Sequence, residues 1–339
     1  MTATTTTSPS GRSRVIWADD FSDGFDTEGP GAKWAYLPLG PGVGHDGMPS
    51  TSQGRLRVVA GGTNPRTGEP AFTHTVGQHD PGKLPGTLDH VKWLVYANQH
   101  SSGGILGFDT APGHELSCET RISGAVYGTR DHPFEDAVVN PDDDPRLAMV
   151  ALALQDPETD VAFEFALTNE SVHVLYERLP NARAQLGNYA SFLHAVPVAS
   201  RTPCEEHHVR ISYDRSAGLA RWFLDGREVF RVDRVGCRLP SRRYLVTDHG
   251  GTEGRVEPRQ LACGMGMFNF LDGTLPGRPG SGLVRLSGAP DFYFDPVTGE
   301  PDPLAFLDDA SLASHRLFGQ GAELRMGRFT VSSKRTGTS

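Results

Sequence analysis

The sequence predicts an all-β protein, an antiparallel β-sandwich. Three observations carry that reading. Short segments alternate with period two, as in Val161, Phe163, Phe165 and Leu167 against Asp160, Ala162, Glu164, Ala166 and Thr168. Gly 40 and Pro 25 are spread along 339 residues, so turn signals recur throughout. No window sustains helical periodicity. The best helix candidate is the short segment 303–315, with Leu304, Phe306, Leu307 and Leu312.

The elements follow in order. Residues 1–13 form a polar, low-complexity tail and are read as disordered, as are 336–339. Val15-Ile16-Trp17 opens the structure. Trp34 to Leu37 and Arg55 to Ala60 read as strands, the latter alternating Leu56, Val58 and Ala60 with Arg55, Arg57 and Val59. Residues 61–90 are rich in Gly, Pro and Thr and predict a long loop, a length often tied to function. Val91 to Ala97 is another strand, and Glu115 to Ser123 alternates Leu116, Cys118, Thr120 and Ile122 with polar residues. Residues 131–146 are an acidic, exposed insertion. Leu147 to Leu154 is apolar on both faces, the mark of a central strand.

The alternating segment 160–169 reads as a strand and 172–179 as the next, with Asn169-Glu170 as a two-residue turn between them. Phe192 to Val198 and Val209 to Tyr213 come next. The hairpin Leu219–Leu224, Asp225-Gly226, Glu228–Val232 is the strongest in the chain. Leu245-Val246 leads into the Gly-rich loop 248–254, then Gly264 to Leu271 and the closing strand Leu324 to Val331. One domain is expected over 14–335, with long loops at 61–90, 131–146 and 273–315.

The 160–178 hairpin is the candidate site. A two-residue turn sets Glu164 opposite Leu175, Ala162 opposite Glu177 and Ala166 opposite His173. Asp160, Glu164, His173 and Glu177 then share one face and are the candidate catalytic residues. Ala162 and Ala166 leave room beside them for a ligand. Clustered carboxylates repel, so one holds a proton near neutrality while another acts as base. A slip of one residue would turn His173 and Glu177 to the core face. The competing reading pairs Glu164 with an arginine such as Arg121.

Composition excludes several classes. The formal net charge is -9 and no basic patch interleaves with aromatics, so no nucleic-acid partner is expected. No apolar run approaches a membrane span, and the N-terminus has no apolar core of a secretory signal. Cys118, Cys204, Cys237 and Cys263 show neither CxxC nor zinc spacing; free thiols in a reducing cytoplasm are expected, with no metal and no cofactor.

The order of motifs resembles laminarinase-like family 16 glycoside hydrolases. Trp17-Ala18-Asp19-Asp20-Phe21, Ala32-Lys33-Trp34, Gln53-Gly54-Arg55-Leu56-Arg57-Val58 and Leu116-Ser117-Cys118-Glu119-Thr120-Arg121-Ile122 match the family's opening strands. Trp222-Phe223-Leu224-Asp225-Gly226 matches its W-x-x-D-G hairpin. The resemblance implies the concanavalin A-like lectin/glucanase fold, a jelly-roll with a concave ligand face. That family's catalytic strand reads Glu-x-Asp-x-Glu or Glu-x-Asp-x-x-Glu, nucleophile first and acid/base last. Here Glu158-Thr159-Asp160-Val161-Ala162-Phe163-Glu164 is one or two residues too long. Alternatively, Asp160, Ala162 and Glu164 fill the three positions with the middle acid lost. Retention needs carboxyls roughly 5–5.5 Å apart, whereas strand residues four apart are separated by about 13 Å. Residues 248–254 and 256–261 lie outside the hydrolase pattern and resemble an intracellular bacterial branch of the superfamily, some of it tied to biosynthesis.

His249 and Glu253 on the Gly-rich loop read either as a proton-moving, ligand-binding pair or as solvated turn residues. Glu158 is a further candidate ligand contact. The leading functional expectation is a cytoplasmic, non-hydrolytic enzyme, a cyclase or isomerase of specialised metabolism. Its partner would be a small molecule, polyketide-like or sugar. The alternatives are a glycoside hydrolase or lyase with a shifted acid set, and a carbohydrate-binding protein without chemistry.

Overall fold

The computed structural model describes residues 13–37, 42–78, 84–203, 205–278, 280–299 and 304–336. The expected tail 1–13 lies almost wholly outside the described residues, as do 337–339 and Cys204.

Two large antiparallel sheets pack face to face. The first runs, in spatial order, Arg227–Val232, Leu219–Leu224, His207–Asp214, His114–Tyr127, Gly321–Met326, Arg55–Ala60 and Gly47–Ser52; Phe329–Arg335 joins His114–Tyr127 to Arg14–Asp19. The second runs Leu245–Asp248, Phe192–Ser200, Ser171–Arg178, Val161–Leu167, Met149–Gln155, Gln260–Phe268, Val91–Ala97 and Trp34–Tyr36. This is the antiparallel β-sandwich that period-two patterning predicts.

Alternation decides what each sheet buries. Val161, Phe163, Phe165 and Leu167 point into the space between the sheets, with Val150, Leu152 and Leu154 beside them and Ile211, Tyr213 and Trp222 facing them. Phe163 meets Trp222 edge-on at 5.5 Å and stacks with Tyr176 at 6.2 Å. Burying each such ring contributes about 1.5–3 kcal/mol. The indole N–H of Trp222 crosses the sandwich and donates to the Glu164 carbonyl at 2.9 Å. The hairpin that carries Trp222 turns at Asp225 and Gly226, whose φ values of 49° and 81° suit the Asp-Gly pair.

The outer face of the second sheet is also covered. Leu94, Tyr96, Met149, Ala151, Leu175, Phe268 and Phe270 form a second apolar cluster there. A third cluster joins Phe134 and Val138 to Leu271, Leu283, Val284 and Leu286. The insertion at 131–146 is therefore not wholly exposed, as expected from its acids. Arg146 and Asp144 form a buried pair at 2.6 Å, and Arg146 also donates to the Ala137 carbonyl at 2.7 Å. Its apolar residues had a partner surface that local reading does not show.

Other differences are local. The helix expected over 303–315 is a strand at Phe306–Asp308 and a short helix at Ala313–Arg316; 301–303 lie outside the described residues. The parallel pairing of Phe306–Asp308 with Gly282–Val284 overrides the helical spacing of Leu304 and Leu307. The loop at 61–90 contains the pair Gly62–Thr63 with Pro70–Ala71 and ends in a 3-10 turn, Gly86–His90. Trp34, Trp93 and Trp222 are fully buried core residues.

Candidate active site

The hairpin pairs as its sequence predicts: Ala162 with Glu177, Glu164 with Leu175, and Ala166 with His173. Thr168 N–H donates to the Ser171 carbonyl at 3.1 Å, so Asn169 and Glu170 are the two turn residues. Glu164 and Glu177 are diagonal neighbours on the outer face, a relation that places residues about 7–8 Å apart.

A pocket opens over this pair. Its floor includes Tyr96, Gln155, Ala162, Glu164, Glu177 and Thr247. Its walls are largely apolar, from Leu37, Leu88, Val91, Leu94, Phe192, Leu193, Phe268 and Phe270, with His90, Ser191 and His249 among the polar contributors. A Cβ on Gly266 would lie 2.3 Å from the Phe268 ring, so this glycine makes space for that wall.

Glu164 is 6% exposed, and Glu177 is partly exposed towards the pocket. Neither carboxyl group has a hydrogen-bond or ion-pair partner among the described residues. Burial raises Glu164 well above the usual carboxylate range, and the charge of Glu177 adds to this. Burial lifts Glu177 to about 7, moderated by His90 and reinforced by Asp160. The pair therefore titrates as a unit that holds a proton near neutrality. An unpartnered, desolvated acid pair in a pocket is costly to the fold and suited to proton transfer.

The structure divides the remaining candidates. Asp160 does not share the Glu164 face. It precedes the strand with a left-handed φ of 59°, and its carboxylate accepts from Tyr189 Oη at 2.8 Å and from the Ala182 N–H. This turn breaks the alternation, and the acid organises the 179–189 loop. His173 keeps the predicted face but sits nearer the turn, 3.7 Å from Asp143, and lines a separate depression with Pro197 and Arg278. Ala166 packs in the outer apolar cluster and does not line the pocket, whereas Ala162 does. Glu158 lies in the preceding loop, paired with Arg259 and bonded by Gln260 at 2.9 Å. Glu253 is exposed and pairs with Arg238 at 2.7 Å.

His249 does line the pocket. Its Nδ1 lies 2.9 Å from the Phe292 carbonyl, and burial lowers it to about 4, so it is a neutral ring near pH 7. The competing pairing of Glu164 with Arg121 does not occur. Arg121 belongs to the other sheet and faces Glu206 at 3.7 Å.

Sequence reasoning missed His90, Asp272, Tyr96, Gln155, Ser191 and Thr247. Tyr96 donates to Gln155 Oε1 at 3.0 Å, and Ser191 Oγ is buried without a partner among the described residues. Tyr96 and Gln155 lie on outer-face positions of strands that the sequence does mark. Their convergence comes from strand order, which no local signal reports. Among the described residues, no group of three or more ligating side chains is placed to hold a metal ion, and no helix is long and apolar enough to cross a membrane.

An uncharacterized protein of Acanthamoeba polyphaga mimivirus is 29% identical over 355 residues, covering 78% of this chain and 78% of its own. Similar solved structures include the endo-1,3-beta-glucanase from Streptomyces sioyaensis, at 12% identity and TM-score 0.46 over 97% of this chain and 99% of that one. The endo-beta-1,3-glucanase from Pyrococcus furiosus aligns at 13% identity and TM-score 0.46, covering 96% and 97%. The kappa-carrageenase from Pseudoalteromonas carrageenovora aligns at 11% identity and TM-score 0.41, covering 98% and 100%. The model of the family of unknown function DUF6081 matches residues 18–335, and the chain belongs to that family.

Proposed function

We propose that the protein is an acid–base enzyme acting on a small, largely apolar molecule, with Glu164 and Glu177 as its proton-transfer pair. One observation carries this reading: two desolvated glutamates, without partners among the described residues, meet in a pocket whose other walls are mainly apolar. Glu164 stays protonated and acts as an acid; Glu177, poised near neutrality, acts as a base. A covered apolar pocket suits isomerisation or cyclisation, where proton movement and shape are the whole of the chemistry.

Glycoside cleavage is the second reading. The observation that favours it is the acid pair itself: two carboxyl groups in one pocket, one held protonated and one poised near neutrality, the complement that glycosidic-bond cleavage uses. It uses Glu164 and Glu177 on neighbouring strands, not the single-strand motif that the sequence leaves broken.

The test uses heavy water. Metabolite extract of the source cells is incubated with wild type or with Glu164→Gln in D2O, and small apolar metabolites are followed by mass spectrometry. Deuterium should enter with the wild type and fall at least a hundredfold with the variant, at unchanged melting temperature. Equal labelling by both proteins would refute the role of Glu164. Reducing ends released from a β-1,3-glucan or a carrageenan, and lost in Glu164→Gln, would establish the second reading instead.

A further inference from the structure

The same pocket holds another set of ionisable groups. His90 closes the 3-10 turn Gly86–His90 and lines the pocket. Its Nε2 lies 2.6 Å from Asp272 Oδ1, although the two residues are 182 positions apart. Asp272 is fully buried, and its other oxygen accepts from Tyr293 Oη at 2.8 Å. Tyr293 Oη in turn accepts from the backbone N–H groups of Leu286 and Ser287 at 3.3 and 3.1 Å. Phe270 meets the imidazole edge-on at 5.3 Å. The ring is thus held at one nitrogen and along one side.

The other nitrogen, Nδ1, has no hydrogen-bond partner among the described residues, and the side chain keeps 17% of its surface open. A carboxylate on one nitrogen fixes the tautomer and leaves the second to meet a ligand. His90 and Glu177 line the same pocket, yet no ion pair within 4.0 Å joins them. In the sheet, Met149–Gln155 and Gln260–Phe268 run between the strand that follows His90 and the strand that carries Glu164. The pocket thus presents the imidazole and the carboxylate pair from different elements.

We propose that His90 is the proton donor to the substrate oxygen in this site, beside the pair Glu164 and Glu177 that moves protons at carbon, and that the substrate is a neutral, largely apolar carbonyl compound. The proposal rests on the reading of Glu164 and Glu177 as the proton-transfer pair and names what that pair acts on. Arg178 also lines the pocket, but its guanidinium is turned to the carbonyls of Thr159, Gly236 and Gly254 and lies over the Tyr189 ring, so the surface left for the body of a ligand is the apolar one from Leu88, Val91, Leu94, Phe268 and Phe270. A carbonyl is the group that needs a donor at its oxygen and a base at the adjacent carbon.

The step balances without any co-reactant. Glu177 takes a proton from the carbon next to the carbonyl, and the C–H pair becomes a C=C bond. The carbonyl π pair moves onto oxygen, which takes the proton from His90 Nδ1. The neutral enol returns to a carbonyl when Glu164 delivers its proton to a different carbon of the conjugated enol and the hydroxyl proton goes back to His90 Nδ1. The proton that Glu177 took then passes to Glu164 and resets the pair.

The charges around His90 agree with this assignment. Burial works against its protonated form, but Asp272 outweighs it, with Asp89 and Glu177 acting in the same direction. Asp272 is held below the usual carboxylate range; burial opposes this, and His90, His249 and Tyr293 overcome it. Asp272 is a positioning residue, since it acts only through His90.

The probe is 2-naphthol, a neutral aromatic whose hydroxyl stands for an enol, with naphthalene as its control, both followed by fluorescence. Wild type should bind 2-naphthol about tenfold more tightly than naphthalene, the worth of one hydrogen bond to a charged group. His90→Gln should remove that advantage and leave naphthalene unchanged. If His90→Gln leaves 2-naphthol binding intact while Glu177→Gln weakens it, the proposal for His90 fails and the carboxylate pair stands. If neither variant changes it, both readings fail. If wild type binds neither compound, the apolar carbonyl ligand is overturned.

Asp272→Asn keeps the ring and removes its holder. The pH above which 2-naphthol binding falls should move downward, because His90 then loses its proton earlier. An unmoved midpoint overturns the positioning role. Should that variant not fold, NMR titration of His90 in the wild type decides: a midpoint above the ordinary 6.5 is expected, and one at or below it overturns the proposal.

Discussion

Replacing Glu177 by glutamine should stabilise the protein at alkaline pH and do little in acid. Gln keeps the shape of the side chain and cannot ionise. In the folded protein Glu177 titrates at about 7 against an ordinary 4.5, chiefly because burial penalises its charge. A carboxyl group raised in the fold binds its proton more tightly folded than unfolded. Between 4.5 and about 7 the unfolded chain therefore holds fewer protons, and stability falls as pH rises. The loss across that window is about 3 kcal/mol. An unfolding entropy of about 0.7 kcal/mol/K for 339 residues turns this into about 4–5 °C. The assay is thermal unfolding of wild type and Glu177→Gln at pH 4 and pH 8. The two should melt together at pH 4, where both side chains are neutral, and the variant should melt higher at pH 8. A difference that stays flat from pH 4 to pH 8 would refute the reasoning, since Glu177 would then titrate as it does in water. Gaining stability by removing a group is the expected signature of a site kept for chemistry.

Two further predictions test how the site is held. Trp222→Phe removes the buried hydrogen bond to the Glu164 carbonyl and leaves a void beside Phe163; urea unfolding should show a loss of about 2–4 kcal/mol, and a loss below about 1 would mean that the cross-sandwich tie is unimportant. Asp160→Ala loses the bond from Tyr189 and puts alanine at a left-handed φ of 59°; about 2–4 kcal/mol should be lost, with Asp160→Asn milder. Activity that vanishes in Asp160→Asn at unchanged stability would return Asp160 to the catalytic set.

The fold class and one half of the site follow from local chemistry alone. Period two is a property of the strand itself, so Val161, Phe163, Phe165 and Leu167 declare a core face wherever the strand is placed. A two-residue turn sets pairing between consecutive strands, so Glu164 and Glu177 meet on sequence evidence alone. Even within that hairpin, one left-handed residue was enough to carry Asp160 off the face, and backbone hand at a strand end leaves little trace in composition. Distance along the strand separates His173 from the acids, although parity is right.

The other half is a tertiary outcome. His90 and Asp272 lie in loops at the ends of strands far apart in sequence, and they meet only because Gln260–Phe268 pairs with Val91–Ala97. Strand order in a sandwich is decided by the summed burial of both sheets, a quantity no window of the sequence contains. The same holds for the acids' pKa values. A glutamate on an exposed strand face and one in a pocket walled by Phe268 and Phe270 read identically in sequence. Their difference is solvation, and solvation is set by what the rest of the chain lays over them.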